Sequence, residues 1–246
     1  MGEKHVETHL SLVVPAYNEE ARIGDSLKRI LMFLKAQSYA WELILVDDGS
    51  TDQTLSAAAA AVSNADVDAV LLRNEINSGK GRSVRRGVLA ARGANIFFTD
   101  ADLSTPIEEI ERCLPLLATA DVVIGSRALP GSNITVHQPA HREAMGRLFN
   151  KFVQLAAAPG IKDSQCGFKG FTAKAAREIF KRQRLDGFGF DVELLYIAGK
   201  LGYGIVEAPI TWHNSAATRV SPLRDGPGML SDIFRVRMND LKGLYE

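Results

Sequence analysis

Apolar and polar positions alternate in blocks along the first half of the chain, and the blocks predict a repeated order of strand and helix. The apolar run at residues 10–16 is rich in β-branched residues and ends at a loop, which is typical of a buried strand. Between Glu20 and Lys35 the apolar residues follow a helical period, which predicts a helix with one apolar face. A second apolar run at residues 41–46 predicts another buried strand, which leads directly into Asp47 and Asp48.

The same order continues to the middle of the chain. Further strands are predicted at Ala69–Leu72, Asn95–Thr99 and Val122–Arg127, with a helix from about Arg82 to Ala91 between the first two. This alternation predicts an α/β fold in which a mostly parallel sheet carries helices on both faces. Because ligands bind beyond the carboxyl ends of such strands, the polar clusters after the first, second and fourth strands are expected at one edge.

The second half of the chain is less regular. Its pattern predicts a helix from about Arg142 to Ala158, a hairpin or strand pair at residues 162–172, a basic helix after it, a helix at residues 190–200, a last strand at residues 203–212 and a terminal helix from Asp232. No linker or low-complexity tract divides the 246 residues, so we expect one domain spanning residues 1–246.

Composition and charge exclude several classes of protein. Lys plus Arg and Asp plus Glu both number 29, so the chain lacks the overall positive field of a nonspecific nucleic-acid binder. The two cysteines have no metal-ligand spacing, which favours a reducing, cytoplasmic setting. The start has no apolar signal core, and no apolar run is long enough to span a bilayer. Any work at a membrane is therefore expected at its surface.

The DADLS segment is the first candidate for chemistry. Asp100 and Asp102 stand two residues apart in a turn after a predicted strand. Two carboxylates in this arrangement can bind one hard cation and leave coordination sites for substrate phosphates. A Mg or Mn ion that bridges a diphosphate is the functional interpretation, and a pair of solvated turn residues is the alternative.

Two further polar segments are candidates for nucleotide contacts. In DDGSTD, Asp48 could accept hydrogen bonds from a base or a ribose, or Gly49 could simply supply a strand-to-helix turn. The NSGKG loop could offer backbone N–H groups and the Lys80 ammonium group to a phosphate. The loop departs from a P-loop, because Asn74 and Gly81 occupy positions where that motif has Gly and Ser or Thr.

Five motifs in order carry a resemblance to a known family. The sequence resembles the family 2 inverting glycosyltransferases with the GT-A fold through PAYNEE (15–20), VDDGSTD (46–52), NSGKG (77–81), DADLS (100–104) and GSR (125–127). The later segments DSQCGFKGF and FDVELLYIA look like the branch that makes polyprenyl-phosphate sugars, especially the dolichyl-phosphate β-glucosyltransferases and also the mannosyltransferases.

The resemblance implies roles for individual donor-site residues, within a nucleotide-sugar-binding half at about residues 8–127. It implies a metal and diphosphate site at Asp100 and Asp102, with Asp102 the direct ligand. In some mannosyl relatives a Gln follows the acidic pair by two residues, where this chain has Ser104. The remaining implied contacts are the nucleoside contacts Pro15, Tyr17, Glu19 and Asp48, the basic donor contact Lys80, and the phosphate contacts Arg127 and Arg142.

The catalytic residues expected in the acceptor half, at about residues 128–246, depend on the kind of acceptor. A lipid monophosphate is already ionised at neutral pH and needs no general base. Arg219 matches a basic residue that holds this acceptor in similar enzymes. A hydroxyl acceptor would instead need a carboxylate base, for which Asp191 or Glu193 are candidates. The expected catalytic residues are accordingly Asp102, Asp191 and Arg219.

The sequence therefore predicts an enzyme that transfers a hexose with inversion from a nucleotide sugar. UDP-glucose is the expected donor and a polyprenyl phosphate the expected acceptor, giving a β-linked product. A GDP-mannose-dependent polyprenyl-phosphate mannosyltransferase, a family 2 enzyme with a soluble or polysaccharide hydroxyl acceptor, and a nucleotide-sugar binder or nucleotidyltransferase stay open.

A basic segment is the candidate for peripheral contact with a membrane. Residues 162–184 contain seven Lys or Arg, and Arg177, Lys181 and Arg184 share one helix face. An apolar stripe of Ala176, Ile179 and Phe180 lies on the same predicted helix. Together with the preceding helix, which carries Phe149 and Phe152, this helix could rest on anionic headgroups at the cytoplasmic membrane face. The alternative is that its charged face is solvated and its stripe packs into the core.

Overall fold

The structure is a computed structural model. It describes residues 8–67, 69–136, 145–146, 150–155, 157–213 and 222–246, with only the backbone described at 222–227.

A mostly parallel sheet forms the centre of the described part of the chain. Its seven strands follow the order β3-β2-β1-β4-β7-β5-β8, and β7 alone runs antiparallel to its neighbours. Two short strands, β6 and β9, pair in a second sheet. The strand bounds are β1 Leu10–Ala16, β2 Trp41–Asp47, β3 Ala69–Arg73, β4 Asn95–Phe98, β5 Val122–Ser126, β6 Asn133–Val136, β7 Lys169–Thr172, β8 Ile205–Pro209 and β9 Thr211–His213.

Helices flank this sheet, which confirms the predicted α/β class. They are α1 Ile23–Lys35, α2 Thr54–Ala65, α3 Lys80–Ala90, the short α4 Ile110–Cys113, α5 Ala173–Arg182, α6 Phe190–Lys200 and α7 Pro222–Leu241. Residues 145–146 and 150–155 are also helical, within the helix predicted there. None of the helices in the described ranges is both long and apolar enough to cross a membrane.

Burial explains why the first half of the chain was predictable. Every residue of β1 except Pro15 is buried, and so is every residue of β2 except Trp41, as expected for strands covered on both faces. Helix α1 buries the predicted apolar face and begins at Ile23 rather than Glu20. The later start has a local cause, because residues 19–22 form a turn in which the Ile23 backbone N–H donates to the Glu19 carbonyl oxygen.

Three predictions in the second half were wrong. Residues 162–172 form no hairpin, because the single strand β7 inserts between β4 and β5, whose partner positions are far away in sequence. The last predicted strand divides into β8 and β9, which belong to different sheets. The terminal helix begins at Pro222 instead of Asp232.

The apolar stripe of the basic helix α5 faces the core. Ala176, Ile179 and Phe180 are fully buried, and the Phe180 ring meets the Phe171 ring of β7 edge to face. The stripe is therefore not available to a lipid surface. The interpretation of α5 as a membrane contact through this stripe was wrong, and the alternative that it packs into the core is confirmed.

Candidate functional site

The loops that follow β1 and β2 are joined into one platform at the carboxyl edge of the sheet. The Asn18 backbone N–H donates to Ser50 Oγ at 2.8 Å, and the Thr51 backbone N–H donates to Asn18 Oδ1 at 2.9 Å. Asn18 has a φ of 51°, which turns the chain sharply after Tyr17. Pro15, Tyr17 and Glu19 thus lie on an edge that the second loop supports.

Glu19 connects this platform to the DADLS turn. Its carboxylate pairs with Arg22, and the hydrogen bond from Arg22 to Glu19 is the main cause that raises the pKa of Arg22. The charges of Asp102 and Asp100 raise that pKa further, so the guanidinium group lies in the field of the acid pair. Sequence reasoning missed Arg22, although it stands only two residues beyond the PAYNEE motif.

Asp48 holds the loop that carries Lys80. Its Oδ1 accepts from Asn74 Nδ2 at 2.7 Å and from the Ser78 backbone N–H at 3.0 Å, and its Oδ2 accepts from the Gly79 backbone N–H at 2.9 Å. The Ser78 and Gly79 N–H groups are therefore used within the chain and are not available to a phosphate, and a phosphate contact of the rest of the loop stays a prediction. Asp48 acts here as a positioning residue, and its contact with a nucleoside stays a prediction.

Lys80 lies beside the acid pair. Its Nζ is 2.6 Å from Asp100 Oδ1. Burial alone would lower the pKa of Lys80, but the charges of Asp100 and Asp191 raise it well above its usual value. Asp100 also packs against Gly167, where an added Cβ would lie only 2.6 Å from Asp100 Cγ. A residue without a side chain is therefore needed beside this carboxylate.

Asp102 lies at the same edge of the sheet as Asp100, where burial and the neighbouring carboxylate make its negative charge unfavourable. Burial is the main cause that raises its pKa, and the neighbouring charge of Asp100 adds to the effect. Its Oδ1 accepts from the Ser104 backbone N–H at 2.9 Å, across a turn in which Leu103 has a φ of 48°. Two crowded carboxylates of this kind fit a hard divalent cation, which would relieve their repulsion.

Asp100 and Asp102 are the acidic pair at this turn. Within the described ranges no group of three His, Cys, Asp or Glu side chains is arranged to hold a metal ion. Ser104 stands at the position where some mannosyl relatives have Gln, and its backbone is occupied with Asp102 and with the His213 backbone N–H. The two aspartates fit a cation such as Mg²⁺, which proteins often bind through one or two carboxylates together with substrate phosphates and water.

Arg127 follows β5 and is fixed in one orientation. Its Nε and Nη2 donate to the two carboxylate oxygens of Asp163, both at 2.7 Å, and its guanidinium group lies 5.3 Å from the Trp212 ring centroid. Burial alone would lower the pKa of Arg127, but Asp163 raises it. Glu207 holds Asp163 by accepting its backbone N–H at 2.9 Å. Sequence reasoning missed both Asp163 and Trp212.

Asp191 is buried in an ion pair with Lys169 of β7. Lys169 Nζ donates to Asp191 Oδ1 at 2.5 Å and to the Cys166 carbonyl oxygen at 2.6 Å. Lys169 is fully buried and Asp191 is almost so. The charge of Asp191 acts on Lys80. Its buried carboxylate is hardly accessible to the hydroxyl group of a substrate.

Glu193 has no free carboxylate oxygen for a substrate. It is fully buried and accepts from the Arg184 and Leu185 backbone N–H groups and from the Tyr245 hydroxyl at 2.6 Å. The interpretation of Glu193 as a general base was wrong, because its hydrogen bonds join α6 to the end of the chain.

The structure thus brings most of the predicted residues to one edge. Lys80, Asp100, Asp102 and Arg127 are linked there by contact or by mutual electrostatic effect, and Arg22 joins them. Arg142 and Arg219 lie outside the described residues, and their roles stay predictions. An acid pair within the field of Lys80, Arg22 and Arg127, beyond the ends of parallel strands, suits the binding of a diphosphate with a cation.

A comparison with protein families agrees with this chemistry. The family model described as glycosyl transferase family 2 matches residues 11–180, which include every motif from the first strand to α5. The chain belongs to glycosyl transferase family 2.

Relatives of this family 2 glycosyltransferase match it along most of its length. Dolichyl-phosphate β-glucosyltransferases from Dictyostelium discoideum and Drosophila melanogaster are 34% and 35% identical to it, over 97% and 96% of this chain and 76% of each relative. The protein of the same name from Saccharomyces cerevisiae is 32% identical over 97% of this chain and 77% of the relative.

Solved structures share the fold of the family 2 chain. Glucosyl-3-phosphoglycerate synthase from Mycobacterium tuberculosis, in complex with Mn²⁺, uridine diphosphate and phosphoglyceric acid, superposes with a TM-score of 0.68 at 22% identity, covering 94% of this chain and 78% of that one. The same synthase with Mg²⁺ and uridine diphosphate gives a TM-score of 0.66 at 21% identity, covering 94% and 79%. The likeness confirms the predicted GT-A fold.

Proposed function

We propose that this glycosyltransferase moves glucose from UDP-glucose to a polyprenyl phosphate of the dolichyl type, with inversion to a β-linked product. Three relatives named dolichyl-phosphate β-glucosyltransferase match at least 96% of this chain, which supports glucose as the sugar and a lipid phosphate as the acceptor. A structural neighbour that binds uridine diphosphate supports a uridine nucleotide as the donor.

Donor binding would use the joined loops at the carboxyl edge. Pro15, Tyr17 and Glu19 would contact the nucleoside, on the platform that Asp48 helps to fix. Lys80, Arg127 and Arg142 would attract the diphosphate. A Mg or Mn cation bound at Asp100 and Asp102 would neutralise charge on the leaving diphosphate. The neighbours that contain Mn²⁺ or Mg²⁺ support this proposal for the cation.

The buried Lys169–Asp191 pair carries the choice of acceptor. Asp191 and Glu193 are the two predicted candidates for a general base. Asp191 is paired with the buried Lys169, and both carboxylate oxygens of Glu193 accept hydrogen bonds from within the protein. Neither of these two carboxylates is free to act as the base that a hydroxyl acceptor needs. A phosphate acceptor is ionised at neutral pH, so its oxygen can attack the anomeric carbon without one. Arg219 would hold that phosphate.

A donor and acceptor screen tests the proposed function. The chain would be incubated with Mg or Mn, UDP-glucose or GDP-mannose, and a short polyprenyl phosphate. We expect a lipid-linked glucose with β configuration, measured by mass spectrometry and NMR, and no product when the cation is chelated. Preference for GDP-mannose would replace the sugar assignment. Absence of lipid-linked product with every donor, alongside transfer to a hydroxyl acceptor, would overturn the acceptor assignment.

Asp163 provides a test of how Arg127 is positioned. Replacing Asp163 by Asn removes the charge that holds the guanidinium group in a bidentate pair. Since misplacement of a binding group by about 1 Å can cost roughly 100-fold in rate, we expect kcat/KM for UDP-glucose to fall by about that factor. The matched control is Glu108→Gln, which breaks a similar pair with Arg29 on the surface of α1. Equal kinetics in the two variants would contradict the assignment.

A further inference from the structure

Helix α7 presents a stripe of exposed apolar side chains on one face. The stripe consists of Leu230, Phe234, Met238 and Leu241, whose exposed fractions are 40%, 73%, 51% and 81%. Steps of four, four and three residues place them on one side of a helix. An exposed apolar stripe of this length on a folded domain marks a surface that contacts something else.

A second face of α7 packs on the protein. Ile233 and Val236 are buried there. Asp240 accepts hydrogen bonds from the Tyr196 hydroxyl and from Lys200, both of α6. This face of the helix is therefore fully packed against the protein, and the exposed stripe is an additional apolar face.

Charged residues border the stripe in an uneven way. Arg235, Arg237 and Lys242 are exposed beside it. Among the acids whose side chains are described on this helix, Asp232 and Asp240 are only 16% and 24% exposed. Asp232 pairs with Arg235 at 3.1 Å, and Arg235 itself is 67% exposed. An apolar face with cationic borders is the pattern of a helix that lies in the headgroup region of an anionic membrane.

We propose that the stripe of α7 docks this enzyme on an anionic lipid surface. A second copy of the chain is a poorer occupant, because a two-fold pairing of the stripe would bring the same cationic borders together. Lipid headgroups offer the opposite charge, and the acyl boundary accepts the apolar side chains.

The docked orientation suits a lipid acceptor, and in this respect the inference rests on the proposed function. Arg219, the proposed contact of the acceptor phosphate, stands three residues before the start of α7 at Pro222. The helix also packs against the beginning of α6, where a Cβ on Gly189 would lie 2.7 Å from Asp232 Cγ. Asp191 follows Gly189 by two residues, so α7 is in contact with the element that reaches the site.

Vesicle flotation without donor or acceptor tests the docking surface separately from the reaction. Wild-type protein should float with phosphatidylcholine vesicles that contain phosphatidylglycerol and much less with phosphatidylcholine alone. The double variant Phe234→Ser with Leu241→Ser should lose at least about tenfold in vesicle affinity, because it removes two inserted apolar side chains. The paired variant Arg235→Gln with Arg237→Gln should reduce binding only to the anionic vesicles.

The control variant is Met32→Ser with Leu89→Ser, which removes exposed apolar side chains of α1 and α3. It should float like the wild type. Equal flotation of the stripe variant and the wild type, or no flotation of the wild type, would overturn the docking surface whatever the enzyme transfers. A wild-type dimer that the stripe variant converts to a monomer, with vesicle binding unchanged, would assign the stripe to a second copy instead.

Activity on a short, water-soluble polyprenyl phosphate should persist in the stripe variant. Absence of this activity in the wild type would count against the proposed function alone.

Discussion

Replacing Asp102 by Asn is expected to lower kcat by a factor on the order of 10³, because the charge that faces the cation and the leaving diphosphate is lost while the shape of the side chain is kept. Affinity for Mn²⁺ in the presence of uridine diphosphate should fall with it, measured by titration calorimetry. The variant should fold at least as stably as the wild type. Burial and Asp100 raise the pKa of Asp102, so its negative charge is unfavourable in the folded chain and its removal relieves repulsion.

The combination of lost activity and retained stability separates a functional role from a structural one. Asp25→Asn serves as the control, since Asp25 is an exposed carboxylate of α1 that pairs with Lys28. That variant should keep both activity and melting temperature. Wild-type turnover in Asp102→Asn would refute the cation role, and loss of folding would show that Asp102 serves the structure instead.

The donor side of the site was accessible to sequence reasoning for a physical reason. Strands that are buried on both faces appear as continuous apolar runs, so the ends of β1, β2 and β4 could be placed to within a residue or two. The polar residues just beyond those ends must then meet at one edge. Asp100 and Asp102 were found in this way, and the pairing of Asp100 with Lys80 confirms that the loop after β3 reaches the same place.

The acceptor side depends on contacts between distant segments, which a single sequence does not encode. Nothing local indicates that β7 enters the sheet between β4 and β5, or that Asp163 meets Arg127 across 36 positions. The charge pattern of α5 suggested an amphipathic surface helix, yet its apolar residues pack into the core. The exposed apolar stripe lies instead on α7. The predicted terminal helix began at Asp232, ten residues after the observed start at Pro222, and therefore left out Leu230.

Lys169→Met is expected to have the largest effect on stability. The substitution removes a buried cation and leaves Asp191 as an uncompensated charge in the core, which typically costs about 3–5 kcal/mol. Lys169 also donates to the Cys166 carbonyl oxygen and lies 5.6 Å from the centre of the Phe98 ring, so these contacts are lost as well. Denaturant unfolding should report the loss as a lower midpoint.

A double variant distinguishes the buried pair from simple packing. Adding Asp191→Leu to Lys169→Met removes the orphaned charge, so most of the lost stability should return, as it does when both partners of a buried ion pair are replaced by apolar residues. Activity should not return with it, because the favourable interaction between the Asp191 charge and the Lys80 ammonium group, which pairs with Asp100, is lost. If the double variant were as unstable as Lys169→Met, the cost would come from packing around Lys169. If it regained full activity, Asp191 would have no part in the electrostatics of the donor site.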